Sequence, residues 1–238
     1  MKKAKKNETP LLVRLSHLLQ FSDSAFPVGT FSFSNGLETA SYEKIVYDAD
    51  TLEQYARSAA RQGAFSDGVA ALLAYRAMEA GDYARIVEID KALMRFKMND
   101  EARLMLTRMG KKLAELGVRM FESNDIMTQW IEDINSGKTP GSYPVAQGIV
   151  FQIAGLTEEE LFASQQYGVV NMILGAALRC VRVSHYDTQM ILTALAKEIP
   201  QLYEEVKSLD LPEMHCFVPE MDILASLHEK GNMRMFMS

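Results

Sequence analysis

Apolar residues along this chain recur mainly at helical spacing. Leu104, Leu106, Met109, Leu113 and Leu116 follow one another at intervals of two to four residues, which suits one buried flank of a helix. Asn99 stands where it can cap that helix. Thr157 and Glu160 form a capping box ahead of Leu161 and Phe162, a clear helix start. The helix they open carries Gly168, Gly175, Ala176 and Ala177, small residues that let another helix approach closely. Asp50 before Thr51 and Leu52 is a candidate cap for a segment that Gly63 closes. Asp67 then opens an Ala- and Leu-rich segment ending near Gly81, and Asp82 starts the next. No proline lies between Pro27 and Pro140, so helices there meet no proline break.

No set of regularly spaced β-branched segments suggests a sheet. The pattern predicts an all-α fold: a single compact multi-helix domain of about eight to eleven helices. Residues 136–144, SGKTPGSYP, read as a loop within one bundle rather than a boundary between two domains. Residues 22–38 are different in kind. Pro27 and Gly29 break the chain there, and Phe31 and Phe33 then alternate with Thr30, Ser32 and Ser34. That run fits a short half-buried strand, or a helix running toward Glu38 capped by Thr30 or Ser32.

Size and composition narrow the class. The chain has 238 residues, 48% hydrophobic and 24% charged, which is enough to build a substantial core. Tyr167 to Val183 is the most apolar run, but Asn171 and Arg179 interrupt it, so burial in protein is expected rather than a membrane span. The N-terminus has no apolar signal-peptide core, and the two cysteines offer no disulfide framework. A cytoplasmic location is therefore expected. The net charge of −6 argues against a nucleic-acid surface. Setting aside Lys2, Lys3, Lys5 and Lys6 leaves a body at −10, with residues 1–8 as a flexible basic tip.

Candidate chemistry is sparse. The chain lacks G-x-x-x-x-G-K followed by Ser or Thr, C-x-x-C and H-E-x-x-H. His215 beside Cys216 is a soft-ligand pair that suits nickel, zinc or copper, and an ordinary packed thiol beside a surface imidazole fits the same residues. His185 with Asp187 is the pair on which a helical small-molecule enzyme would rest. No catalytic residue is nominated, and no metal ligand set. Arg179 sits on a strongly apolar helix and needs an acceptor or a partner. Residues 219–238 begin as an amphipathic helix and end in Met233, Arg234, Met235, Phe236 and Met237, a tail suited to docking on a partner or on its own domain.

Five islands of sequence resemble the urease accessory protein UreF family. The first is P-x-G-x-F-x-x-S-x-G-x-E, met by Pro27, Gly29, Phe31, Ser34, Gly36 and Glu38. Gly110, Lys111, Lys112 and Leu113 resemble the family's G-R-x-L, and Pro144, Gly148 and Gly155 follow in the family's order. Arg179, Asp187, Gln189 and Leu192 fall on a later motif. The end matches through His228, Glu229, Arg234, Phe236 and Ser238. Gly231 and Met233, and Val183 with Ser184, depart from the family pattern.

The resemblance implies an all-α, non-catalytic protein of the cytoplasm that forms a homodimer. It would scaffold a complex of UreD (also called UreH), itself and the GTPase UreG on apo-urease for GTP-dependent nickel insertion, and would modulate UreG. Nickel and GTP would be handled by the complex, with no cofactor held by this chain, no nucleic acid and no membrane. Residues 9–238 would form the helical domain, with a partner-docking tail at about 219–238. Phe31, Ser34, Glu38, Arg179, His228, Glu229, Arg234 and Phe236 are the partner-binding residues it implies.

Overall fold

The computed structural model describes residues 9–29, 33–121, 124–229 and 235–236. Among them there is no strand. The helices are α1 (Leu11–Ser22), α2 (Leu37–Tyr42), α3 (Ala49–Gly63), α4 (Val69–Ala80), α5 (Tyr83–Met94), α6 (Asp100–Met120), α7 (Asp125–Asn135), α8 (Tyr143–Ile153), α9 (Glu158–Cys180), α10 (His185–Ala196), α11 (Ile199–Val206) and α12 (Pro219–Glu229).

The expected caps at three helix starts are present. The Asn99 side chain accepts from the Ala102 N–H at 2.7 Å, and Thr157 and Glu160 cap each other's backbone at the start of α9. Asp82 accepts from the Arg85 N–H, and Gly81 ends α4 in the left-handed region at φ 71°. Two expectations are corrected. The cap of α3 is Asp48, not Asp50, because Asp48 and Thr51 bond reciprocally. Gly63 does not end a helix either: it keeps right-handed helical angles, and a π-helical turn at Ala64–Gly68 carries α3 straight into α4. Counted as one rod, α3 and α4 bring the described helices to eleven.

Two apolar clusters fill the interior. The larger gathers residues of α4 to α8, the first turns of α9 and α11, around Trp130, Phe151 and Phe162. Its centre is the contact of α8 with α4, which requires Gly148: a Cβ there would stand 2.5 Å from the Ala71 carbonyl oxygen. The smaller cluster joins α2, α3, α10 and α12 to the later turns of α9 through Leu37, Leu52, Ile173, Ala177, Leu224 and Phe236. Helix α9 is thus the shared spine. The loop after α7 lies inside this one fold, as expected, and Asp90 of α5 holds it. That fully buried carboxylate accepts from the Thr139 hydroxyl and the N–H groups of Gly141 and Ser142 at 2.7, 2.7 and 2.8 Å.

Candidate functional site

The described part of the Ser22–Glu38 segment is a turn leading into α2, not a strand. Thr30, Phe31 and Ser32 lie outside the described residues, and so do the caps expected of Thr30 and Ser32. Asn35 and Gly36 both take positive φ, 53° and 78°, and Gly36 serves as the N-cap of α2. Glycine is needed there: a Cβ would stand 3.0 Å from the Tyr55 hydroxyl and 3.2 Å from both the Met221 carbonyl oxygen and the Ala225 nitrogen. Tyr55 fixes the turn by donating to the Asn35 carbonyl at 2.7 Å. This close fit against α12 places Glu38, on the first turn of α2, beside the C-terminal residues.

Residues drawn from distant parts of the chain meet at that point. His228 of α12, 4% exposed, has its Nε2 at 2.8 Å from Glu38 and its Nδ1 at 3.1 Å from Glu101 of α6. The ring thus bridges two acidic side chains, one at each nitrogen. The same Glu38 carboxylate holds the tail, accepting from the Met235 N–H at 2.8 Å on Oε1 and from the Phe236 N–H at 3.2 Å on Oε2, the oxygen that faces His228. Burial pushes the Glu38 carboxyl up, but the bonds from Met235, His228 and Phe236 outweigh it and hold the group below the usual carboxylate range. The Phe236 ring, 5% exposed, packs in the smaller core, and the Arg179 guanidinium lies over it at 3.9 Å from the ring centre.

The structure therefore brings together Glu38, Arg179, His228 and Phe236, four of the eight residues singled out from sequence. Ser34 is fully buried just ahead of them. Of Glu229 only the backbone is described, closing α12, and Phe31 and Arg234 lie outside the described residues, as does the basic tip at 1–8. The described tail residues dock on their own domain. Glu101 was not singled out: in sequence it is one of two acids in the first turn of α6, the ordinary place for charge that favours a helix N-terminus.

The other candidate pairs are differently employed. Asp187 completes a capping box with Ser184 at the start of α10, and the hydrogen bonds from the Ser184 N–H and hydroxyl hold its carboxyl below the usual range. His185 beside it is exposed on the first turn of that helix. The His215 ring packs against Phe65 at 4.7 Å between centres, and the Cys216 Sγ faces the Phe96 carbonyl. Among the described residues no three His, Cys, Asp or Glu side chains are grouped to hold a metal ion, and no helix is long and apolar enough to cross a membrane.

The arrangement joins α2, α6, α9, α12 and the tail by charge, hydrogen bonds and one stacked ring. The fold and this cluster define an all-helical protein whose tail is fastened to its own domain. Comparison with known proteins supplies the family. The UreF family model matches residues 46–196. Urease accessory protein UreF 2 of Brucella canis is 46% identical over 224 residues, covering 94% of this chain and 92% of the relative. Urease accessory protein UreF 1 of Brucella melitensis biotype 1 is 45% identical over the same length, and urease accessory protein UreF of Yersinia pestis (strain Pestoides F) is 41% identical over 222 residues, 93% of this chain and 97% of the relative. The chain belongs to the UreF family of urease accessory proteins.

Proposed function

We propose that this protein works by docking and not by bond-making: it scaffolds a complex of UreD (or UreH), itself and UreG on apo-urease, supports GTP-dependent nickel insertion and modulates the UreG GTPase. In this reading it acts in the cytoplasm as a homodimer, holds no cofactor of its own, and leaves nickel and GTP to the complex. The observation that carries the reading is the clasp on the tail. Four residues spread from Glu38 to Phe236 converge where the chain end is held by two backbone hydrogen bonds and one buried ring. Such an attachment is firm enough to present a defined surface and small enough to rearrange against a partner. Glu38, His228 and Phe236 shape that surface, Arg179 backs it, and Phe31, Ser34, Glu229 and Arg234 complete the set that family membership suggests.

The test is capture of co-expressed UreD by the full chain and by a chain ending at Glu229, which keeps α12 and its core contacts. The reading expects the shortened chain to keep its helicity and lose most of its UreD. Full-strength capture by the shortened chain refutes a docking role for the tail.

A further inference from the structure

A cavity of about 330 Å³ lies between the end of α1, α6, α8 and α9, with the π-helical turn contributing to its wall. Phe21, Val28, Met105, Met109, Met172 and Leu178 make its lining mainly apolar, and the methionines adapt to the shape of what they meet. Close-packed interiors hold few voids larger than a water molecule. A cavity of this size, apolar with a few polar groups, is the usual form of a small-molecule site. An apolar cavity of about 150 Å³ accepts benzene, so this one has room for a body of about a dozen non-hydrogen atoms.

Several polar groups of the wall are already engaged. The Ser22 and Ser164 hydroxyls share a hydrogen bond at 2.9 Å, and Asp23 accepts from the Ala25 N–H at 2.8 Å. Gln165 accepts from the Gln166 amide at 2.6 Å, and Arg179 lies over the Phe236 ring. Asp67 is different. Its Oδ2 accepts from the Lys97 ammonium at 2.8 Å, while its Oδ1 is buried and meets no donor among the described residues. An ionised acceptor left open in the interior is costly, and a donor that reaches it recovers the loss. Because Lys97 already balances the charge, an uncharged donor suits this oxygen better than a second cation. Asp67 stands on the π-helical turn, an irregularity that recurs at functional sites. It also borders a second cavity beneath α12, which at about 90 Å³ is too small for a body of that size.

We propose that the larger cavity binds an uncharged amphiphile: an apolar body of about a dozen non-hydrogen atoms whose hydroxyl donates to Asp67 Oδ1. The body fills the methionine-lined space, and the head completes the one carboxylate oxygen that the fold leaves open there. Arg179 lines the same cavity, so a bound ligand lies alongside the side chain that covers Phe236. The inference does not rest on the scaffold reading, and its test needs no partner protein.

The probe is 4-butylphenol, titrated into the full chain and followed through the NMR signals of the methionine methyl groups. Its control is 4-butylanisole, which keeps the body and lacks the donor. Saturable shifts are expected at Met105, Met109 and Met172, with a raised melting temperature, and the anisole is expected to bind about tenfold more weakly or worse. Gly168→Leu with Gly175→Leu then blocks the cavity. Both positions line it, a Cβ at either would have no atom within 4 Å, and leucine favours the helix over glycine. This pair is expected to keep its helicity and to lose affinity for the phenol by about tenfold or more. Absence of saturable shifts up to the solubility limit of the phenol overturns the proposal. So does equal affinity for phenol and anisole, or undiminished phenol binding by a leucine pair that has kept its helicity. Should the leucine pair fail to fold, the two probes on the unaltered chain decide the matter.

Discussion

Asp90 and Glu38 are both carboxylates drawn in against the fold, and they do different work. Asp90 is sealed in the larger core, and its three donors come from a single short stretch, Thr139 to Ser142. Everything that satisfies it is local to one loop, which it pins ahead of α8. Glu38 sits in the smaller core at the edge of the molecule, and its donors are a histidine and two backbone groups near the chain end. The first arrangement is a fastening of the fold to itself. The second ties a terminus to the domain through a group that titrates. One carboxylate thus fastens a single loop, while the other joins the tail to helices from distant parts of the chain.

The contrast breaks first at Asp90. Replacing it by alanine leaves a hydroxyl and two backbone N–H groups buried without an acceptor, so Asp90→Ala is expected to lower stability by about 3–5 kcal/mol in urea unfolding. A loss below about 1 kcal/mol would show that the loop is held by other means. His228→Ala comes next. It leaves Glu38 and Glu101 facing an empty site, and an expected loss of about 2–3 kcal/mol should come with faster hydrogen exchange in α2 and α12 but not in α8. Faster exchange throughout the molecule would erase the distinction between the two regions.

Acid offers a milder probe. Because the folded state holds the Glu38 carboxyl below its ordinary value of 4.5, the contribution of this group is full above that value and is lost as pH falls through the lower folded value. The NMR signals of Met235 and Phe236 should therefore keep their docked positions at neutral pH and shift toward unstructured positions only below about pH 4.5. Undocking that begins near pH 6 would place control of the tail elsewhere. The smallest expected effect belongs to Phe236→Leu, which keeps an apolar side chain in the core and removes the ring beneath Arg179, at about 0.5–1 kcal/mol.

Much of the fold could be read from the chain because its signals are local. Asn99 and Thr157 cap helices whose first residues lie within three positions of them. The π-helical turn after Gly63 was not legible, since a glycine followed by Asp67 carries the same local signal as a helix end and a new start. What overrides it is packing, which keeps Ala64, Ser66 and Gly68 buried in a continuous rod. The clasp was half legible. Glu38, Arg179, His228 and Phe236 stand out as motif positions, yet nothing local shows that His228 and Glu101, 127 residues apart, share a hydrogen bond. Asp90 gave no sign at all, because an acid in the middle of an amphipathic helix ordinarily faces water.

The most direct measurement is the native mass of what copurifies from cells expressing UreD, UreG and apo-urease together with this chain carrying Glu38→Gln and Phe236→Ala. The account predicts a folded, helical protein that elutes without UreD, while the unaltered chain brings UreD and the larger assembly with it. A double variant that carries the complete assembly at the mass of the unaltered complex would contradict the claim that the clasped chain end is where this protein is joined to its partners.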